Sequence, residues 1–419
     1  MSFTTINPRL EASSNIILAS PDSLRKLSGV PASFRLAGLM LLRARRGSIR
    51  FQLPDRRQVL FDHGQDGPHA LISVHDYDFA KRAIAGGDVG FAESYMDEQW
   101  STPNLTSVLA FFSENFEAAG QLAVGGVVVR ARNMLRHLFN RNSRAGSKRN
   151  IEAHYDLGND FYRLWLDPSM TYSAALYAEP HMSLGQAQTA KYALIADAMK
   201  LQPDQSVLEI GCGWGGFAEY AAKERGARVT CLTISPSQRD WALKRMQAAG
   251  LSERVDIRLQ DYRDHDGQYD GIASIEMFEA VGEKYWPDYF AKVTECLKSN
   301  ARAVLQVITI RDDLFQRYRK RADFIQRYIF PGGMLPSEAA LCAQTQRAGL
   351  RLEDSHYFGP DYAQTLRVWA RSFEKRWPSI AAQGFDERFR RMWRFYLSYC
   401  EAGFDNGRIN VGHFRLSKA

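Results

Sequence analysis

Cysteine is scarce in this sequence. The 419 residues include five cysteines, at positions 212, 231, 296, 342 and 400, and none lies in a C-x-x-C pair. Such spacing argues against a disulfide framework or a zinc site, and it suits a reducing compartment. We therefore predict no structural metal.

Long apolar segments are also missing. No apolar run approaches the ~20 residues that a membrane-spanning helix needs. The first twenty residues lack a basic stretch followed by an apolar core and a small-residue cleavage site, so we expect no signal peptide. The absence of N-P-P-Y-type and proline-cysteine motifs argues against a nucleic-acid methyltransferase.

Acidic residues are absent from residues 121–149, although this stretch contains seven Lys or Arg residues and the whole chain carries a net charge of +7. The stretch is partly amphipathic. Two interpretations remain open: a solvated basic linker between domains, or a segment that lies on an anionic membrane surface.

Residues 1–120 predict a small α+β accessory domain. Residues 48–53 alternate apolar and polar side chains as a half-buried strand does, and residues 59–61 and 70–74 are strand-like too. A helix is expected from Asp76 to about Ile84.

Residues 150–419 form a different pattern, in which strands and helices alternate. Five predicted strands lie at 206–210, 228–233, 255–259, 271–275 and 302–307, and helices are predicted at 215–225, 237–250 and 286–297. This alternation is typical of an α/β fold with a doubly wound parallel sheet. Residues 408–416 are expected to add a late antiparallel strand.

The glycine-rich segment Leu208–Gly216 (LEIGCGWGG) joins the first of these strands to a helix. Glycine permits a tight turn and a close approach of backbone to ligand. A dinucleotide site would need an acidic residue after the next strand, where residues 232–235 are L-T-I-S. The pattern E-x-G-x-G-x-G instead resembles the S-adenosylmethionine loop of class I methyltransferases, in which Asp261 and Tyr262 would contact adenine.

Further segments resemble one family, the cyclopropane-fatty-acid synthases and mycolic-acid methyltransferases. They occur in the family's order over the last two thirds of the chain: IEAHYDLGNDFY (151–162), MTYS (170–173), LTISPSQ (232–238), MFEAVG (277–282), YIFPGG (328–333) and FGPDYAQTL (358–366). The resemblance implies a class I methyltransferase domain with a helical lid.

It also implies roles for individual residues. The residues expected to hold S-adenosylmethionine are Tyr172, Ser173, Gly211, Gly213, Thr233, Gln238 and Ile275. Tyr155 and Phe330 are expected to touch the acyl chain. The implied substrate is an unsaturated acyl phospholipid, the implied assembly is a homodimer, and the implied location is cytoplasmic, peripheral on the inner face of the membrane.

The sequence departs from the family at its anion site. The resemblance implies a bound bicarbonate that removes a proton from a carbocation, held by a cysteine, a glutamate, a histidine and a tyrosine. The cysteine position is Ala174 and the histidine position on the fifth strand is Gln306, whereas Glu279 and Tyr362 are kept. Ala280 replaces a further histidine.

Bicarbonate binding is therefore in doubt. We hypothesise that Glu279, Tyr362 and Gln306 form the catalytic set, that Glu279 takes the proton itself, and that the product is a methyl- or methylene-branched chain. Cyclopropane formation and amine N-methylation are the alternatives.

Two features have less definite interpretations. Glu276 stands where the resemblance implies a small residue. A hydrogen-bonding or solvated role is expected for it in preference to the alternative, a second base. Residues 311–327 mix Arg and Lys with Phe and Tyr, which favours contact with lipid headgroups, although a solvated helical face is an alternative.

Overall fold

A computed structural model describes residues 16–115 and 157–419. The chain divides into two compact units, Met1–Arg130 with Arg391–Phe395, and Ala131–Arg390 with Tyr396–Ala419. The basic stretch 121–149, His154 and Tyr155 lie outside the described residues. The domain boundaries at 120 and 149 therefore stay predictions.

The first unit contains a five-stranded sheet. Its elements are β1 (Ile16–Leu18), α1 (Pro21–Lys26), α2 (Ala32–Leu41), β2 (Ser48–Gln52), β3 (Gln58–Asp62), β4 (His69–Val74), α3 (Asp78–Met96), β5 (Trp100–Ser101) and α4 (Leu105–Glu114). The strand order is β1-β3-β2-β4-β5. Alternate residues of β2, Ile49 and Phe51, are buried, as the sequence pattern predicts.

Helix α3 is longer than predicted. It continues past Ile84 to Met96, but Gly87 within it has φ 62° and ψ −138°, so the segment is two helical pieces joined at a kink. The predicted end lies near this kink because glycine tolerates a backbone conformation that breaks the helical pattern.

The second unit contains a seven-stranded sheet. Its elements are α5 (Asn159–Trp165), α6 (Leu184–Met199), β6 (Ser206–Ile210), α7 (Gly216–Arg225), β7 (Arg228–Thr233), α8 (Pro236–Ala248), β8 (Val255–Leu259), β9 (Tyr269–Ile275), α9 (Trp286–Cys296), β10 (Leu297–Ile310), α10 (Asp312–Tyr318), α11 (Phe324–Tyr328), α12 (Glu338–Arg347), β11 (Leu350–Tyr357), α13 (Gly359–Ala381), α14 (Glu387–Asp405) and β12 (Ile409–Lys418). Short 3₁₀ turns lie at Tyr262–Asp264, Phe278–Ala280 and Glu283–Tyr285.

The strand order of this sheet is β11-β12-β10-β9-β6-β7-β8. Strands β10, β9, β6, β7 and β8 run parallel, and β12 pairs antiparallel with both β10 and β11. Val207, Leu208 and Ile210 of β6 are buried, because separate apolar clusters cover the two faces of the sheet. The α/β doubly wound fold is confirmed, as is the late antiparallel strand.

Helices α10 and α11 follow β10. Arg317 of α10 and the cations Lys320 and Arg321 between the two helices are exposed, whereas Phe315 and Phe324 are buried. Phe315 and Phe324 therefore form the inner face of short helices and are not available to lipid in this conformation. Among the described residues, no helix combines the length and apolarity that would let it cross a membrane.

Candidate active site

The glycine loop follows β6 at the carboxyl edge of the parallel strands. Gly211, Gly213 and Gly215 all have positive φ, at 82°, 53° and 82°. A Cβ on Gly211 would lie 2.6 Å from Cγ of Met277, whereas a Cβ on Gly213 would meet no atom within 4 Å. The loop thus presents bare backbone to open space, as a cradle for a ligand requires.

Two polar groups stand at the end of the neighbouring strand β7. The Thr233 hydroxyl donates to Oε1 of Gln238 at 3.1 Å, and both side chains are buried. Asp261, beyond β8, is ion-paired with Arg263 at 2.5 Å, and Tyr262 stacks edge-on against Tyr289. These groups occupy successive strand ends, where ligands of doubly wound sheets bind, so the residues fit S-adenosylmethionine.

Tyr172 and Ser173 come from the segment before α6. The Tyr172 hydroxyl donates to the Tyr396 hydroxyl at 2.8 Å, and Ser173 Oγ accepts from Nζ of Lys191 at 2.6 Å. Lys191 is fully buried, and burial lowers its pKa to about 7. Sequence reasoning missed Lys191; its signal is a lysine on the apolar face of α6, in register with Ala187 and Ile195.

Glu209, within β6, is buried and accepts a hydrogen bond from the Cys231 thiol at 3.6 Å. Burial raises its pKa to about 8. A folded-state pKa above the unfolded value near 4.5 adds stability at low pH, and this contribution is lost as the pH rises towards 8.

Replacing Glu209 with glutamine is therefore expected to flatten the pH dependence of stability. The wild type should lose up to ~1.4 kcal/mol of unfolding free energy per pH unit, relative to the variant, between pH 5 and pH 8. Chemical denaturation of both proteins across this range measures the difference. A difference that does not change with pH would contradict the assignment.

Glu276 and Glu279 follow β9. The Glu276 carboxylate accepts from the backbone N–H of Ala174 at 2.8 Å, from the Gln306 amide at 2.7 Å and from the Tyr362 hydroxyl at 2.7 Å. Burial raises its pKa. The solvated interpretation of Glu276 is therefore wrong, and the hydrogen-bonding one is confirmed.

Glu279 has fewer partners. Its Oε1 accepts from the backbone N–H of Ile308 at 2.6 Å, whereas its buried Oε2 has no hydrogen-bond partner. Burial, followed by the charge of Glu276, raises the pKa of Glu279 to about 8. Glu279 therefore carries a proton at neutral pH.

Gln306 is held on its other side by His413. The register of β10 and β12 places the two residues opposite one another, and Nε2 of His413 lies 3.0 Å from Oε1 of Gln306. Burial lowers the pKa of His413 to about 3, so the ring is neutral. Because the Gln306 oxygen can only accept, His413 donates and the Gln306 amino group must face Glu276.

Aromatic rings form a wall beside these carboxylates. The Tyr172 ring centroid lies 6.4 Å from that of Phe330 and 5.3 Å from that of Trp369, and the Tyr362 ring centroid lies 6.1 Å from the same Trp369 ring. Ile275, at the end of β9, packs partly buried against the core. The structure thus brings Tyr172, Phe330 and Tyr362 together.

Comparison with known proteins agrees with this geometry. Residues 142–414 match the mycolic acid cyclopropane synthetase family. The chain is 40% identical over 361 residues to the tuberculostearic acid methyltransferase UfaA1 of Mycobacterium tuberculosis, covering 82% of each chain. It is 38% identical over 348 residues to the cyclopropane-fatty-acyl-phospholipid synthase of Escherichia coli K12, covering 80% of this chain and 84% of the other.

The chain belongs to the mycolic acid cyclopropane synthetase family. A solved structure of the mycolic acid cyclopropane synthase CmaA1 with SAH and CTAB superposes with a TM-score of 0.61 at 30% identity, over 65% of this chain and 98% of that one. The protein is an S-adenosylmethionine-dependent methyltransferase, as predicted. The roles of the individual site residues remain predictions.

Proposed function

We propose that the enzyme methylates the double bond of an unsaturated acyl chain in a phospholipid, and that its direct product carries a methylene branch in place of a cyclopropane ring. The observation that carries the product assignment is the position of Glu276. Its carboxylate fills the space between Ala174, Gln306 and Tyr362, which are three of the positions that hold bicarbonate according to the family resemblance.

The substrate class is supported by the two relatives, since the names of both refer to fatty-acyl products. Neither name favours the amine alternative. The aromatic wall of Tyr172, Phe330 and Tyr362 supplies ring faces that stabilise a nearby cation. S-adenosylmethionine would be held by the glycine loop, Thr233 and Gln238, and it supplies an electrophilic methyl group.

The predicted product follows from competition between two fates of the cation. Loss of a proton from the transferred methyl closes a ring, whereas a hydride shift first moves the charge to the more substituted carbon. Glu276 accepts three hydrogen bonds, which weaken it as a base. Slower proton removal gives the hydride shift time to occur, and loss of a methyl proton then leaves an exocyclic methylene.

The same proposal includes binding of the enzyme to an anionic membrane surface and its assembly as a homodimer. The exposed cations Arg317, Lys320 and Arg321 suit anionic headgroups, which would place the enzyme on the inner face of the membrane. A saturated methyl branch would require a later two-electron reduction by a hydride donor.

Labelled methionine tests the product. Cells expressing the protein receive methionine with a trideuterated methyl group, and their phospholipid acyl chains are analysed by mass spectrometry before and after catalytic hydrogenation. We expect an added carbon with two deuteriums that hydrogenates to a methyl branch. A two-deuterium product that resists mild hydrogenation would be a cyclopropane and would contradict the proposal. Retention of three deuteriums would mean that the proton is lost from the acyl chain and not from the transferred methyl group, which would also contradict the methylene product.

A further inference from the structure

Glu276 has an unusual backbone conformation. Its φ is 49°, in the left-handed region that residues other than glycine, asparagine and aspartate rarely adopt. Such strain persists where the surroundings hold a residue in place, and it is frequent at functional sites. The Glu276 backbone N–H donates to the carbonyl of Gln306 at 2.9 Å, which fixes this conformation at the end of β9.

The carboxylate itself is held by donors from three separate parts of the chain. Oε1 accepts from Ala174 N–H and the Gln306 amide, and Oε2 accepts from the Tyr362 hydroxyl. A carboxylate offers about four lone-pair sites, so one site on Oε2 stays open. Three donors favour the ionised form, since a neutral acid accepts fewer hydrogen bonds.

Glu276 and Glu279 have different hydrogen-bond environments. Glu279 keeps its proton at neutral pH, because burial and the neighbouring Glu276 charge disfavour its ionisation. Burial raises the pKa of Glu276 as well, but three hydrogen-bond donors and the neighbouring Lys191 lower it, whereas Glu279 has the single donor Ile308 N–H. Of two adjacent carboxyls, the one whose ionised form is stabilised by more donors is the one available as a base.

We propose that the Glu276 carboxylate replaces a bound bicarbonate as the proton acceptor, so that methylation by this enzyme does not require bicarbonate. The alkene electron pair forms the new carbon–carbon bond, while the electron pair of the broken carbon–sulfur bond stays on sulfur as S-adenosylhomocysteine is released. A 1,2-hydride shift along the chain then moves the positive charge to the carbon that carries the new methyl group. A proton passes from the transferred carbon to the open site on Oε2, and the electron pair of that C–H bond forms the methylene double bond. This inference rests on the proposed function, because it needs a cation on the acyl chain.

The residues around the donors to Glu276 support this role. His413 orients Gln306 so that its amino group faces Glu276. The buried Ala174 stands where the family resemblance implies a cysteine that helps to hold bicarbonate. The chain thus supplies both the Glu276 carboxylate and the hydrogen-bond donors that bind it.

The test compares the purified enzyme with Glu276→Gln and Glu276→Gly in buffer freed of carbon dioxide, using vesicles of unsaturated phospholipid. We expect the wild type to keep its rate without bicarbonate and Glu276→Gln to lose at least 100-fold in kcat with an unchanged Kd for S-adenosylmethionine. Glycine suits the φ of 49°, so Glu276→Gly should fold and open a space for an anion. Added bicarbonate should restore its rate at least tenfold. Glu295→Gln, at an exposed carboxylate of α9, is the matched control and should behave as wild type.

Several outcomes would overturn the inference. They are a wild-type rate that depends on bicarbonate, a Glu276→Gln variant that stays active, and a Glu276→Gly variant that binds S-adenosylmethionine but is not restored. Product analysis separates these from failure of the proposed function. A wild type that makes cyclopropane without bicarbonate refutes the methylene product and keeps Glu276 as the base. A methylene product that needs bicarbonate supports the proposed function and refutes the role of Glu276 as the base.

Discussion

Gly213→Ala is expected to weaken S-adenosylmethionine binding at least 100-fold while the protein stays folded. The added Cβ would meet no protein atom within 4 Å, so it would point into the open space where the glycine loop is expected to hold the cofactor. The φ of 53° costs an alanine about 1–2 kcal/mol, which a two-domain chain of this size should tolerate. Isothermal titration calorimetry measures the affinity and thermal denaturation measures the stability.

Gly250→Ala provides a matched control for this variant. Gly250 has φ 69°, its Cβ would also meet no atom within 4 Å, and it precedes the amino end of β8, at the opposite edge of the sheet. The two variants should lose similar stability, but Gly250→Ala should bind the cofactor normally. Equal affinities in the two variants would show that the loop does not approach S-adenosylmethionine through Gly213.

Tyr362→Phe is expected to lower kcat about 10- to 100-fold and to move the acidic limb of its pH profile to higher pH. The hydroxyl donates to Glu276 at 2.7 Å, and this hydrogen bond lowers the pKa of a carboxyl that burial raises. Without the donor, the pKa of Glu276 rises further and less of the ionised base is present at a given pH. The other titratable groups near it, Lys191 and Glu279, are unchanged in this variant. The measurement is kcat between pH 5.5 and 9.

Tyr269→Phe controls for the loss of a tyrosine hydroxyl. The Tyr269 hydroxyl is hydrogen-bonded to His265 at 2.8 Å at the start of β9, whereas Glu276 follows the end of the same strand. We expect this variant to lose about 1 kcal/mol of stability with no shift in the pH profile. If both variants shift the profile alike, Tyr362 does not act through Glu276.

Much of the candidate site was predictable because its signals are local. The glycine loop joins a strand to a helix within nine residues, and its backbone conformation follows from the residue type. Phe330 and Tyr362 lie in specific motifs. The structure places Phe330 beside Tyr172, and it places Tyr362 against Trp369, which also contacts Tyr172. Tyr155 lies outside the described residues, so its role stays a prediction.

Glu276 was harder to interpret. The sequence offered two neighbouring carboxylates, and the family motif pointed to Glu279 as the base. Only the folded chain places Ala174, Gln306 and Tyr362 around Glu276, from positions 102, 30 and 86 residues away along the chain. Sequence spacing does not predict such distant contacts.

The sequence by itself determined the fold class, the cofactor and the family, because repeated strand–helix units and a glycine-rich turn depend on residue patterns over short stretches. The tertiary structure alone decided which carboxylate is surrounded by donors and which stays protonated. It also showed that Lys191 and His413 are buried beside the site. The physical reason is that desolvation and hydrogen bonding set the charge of an acid, and both depend on residues that folding brings together from distant parts of the chain.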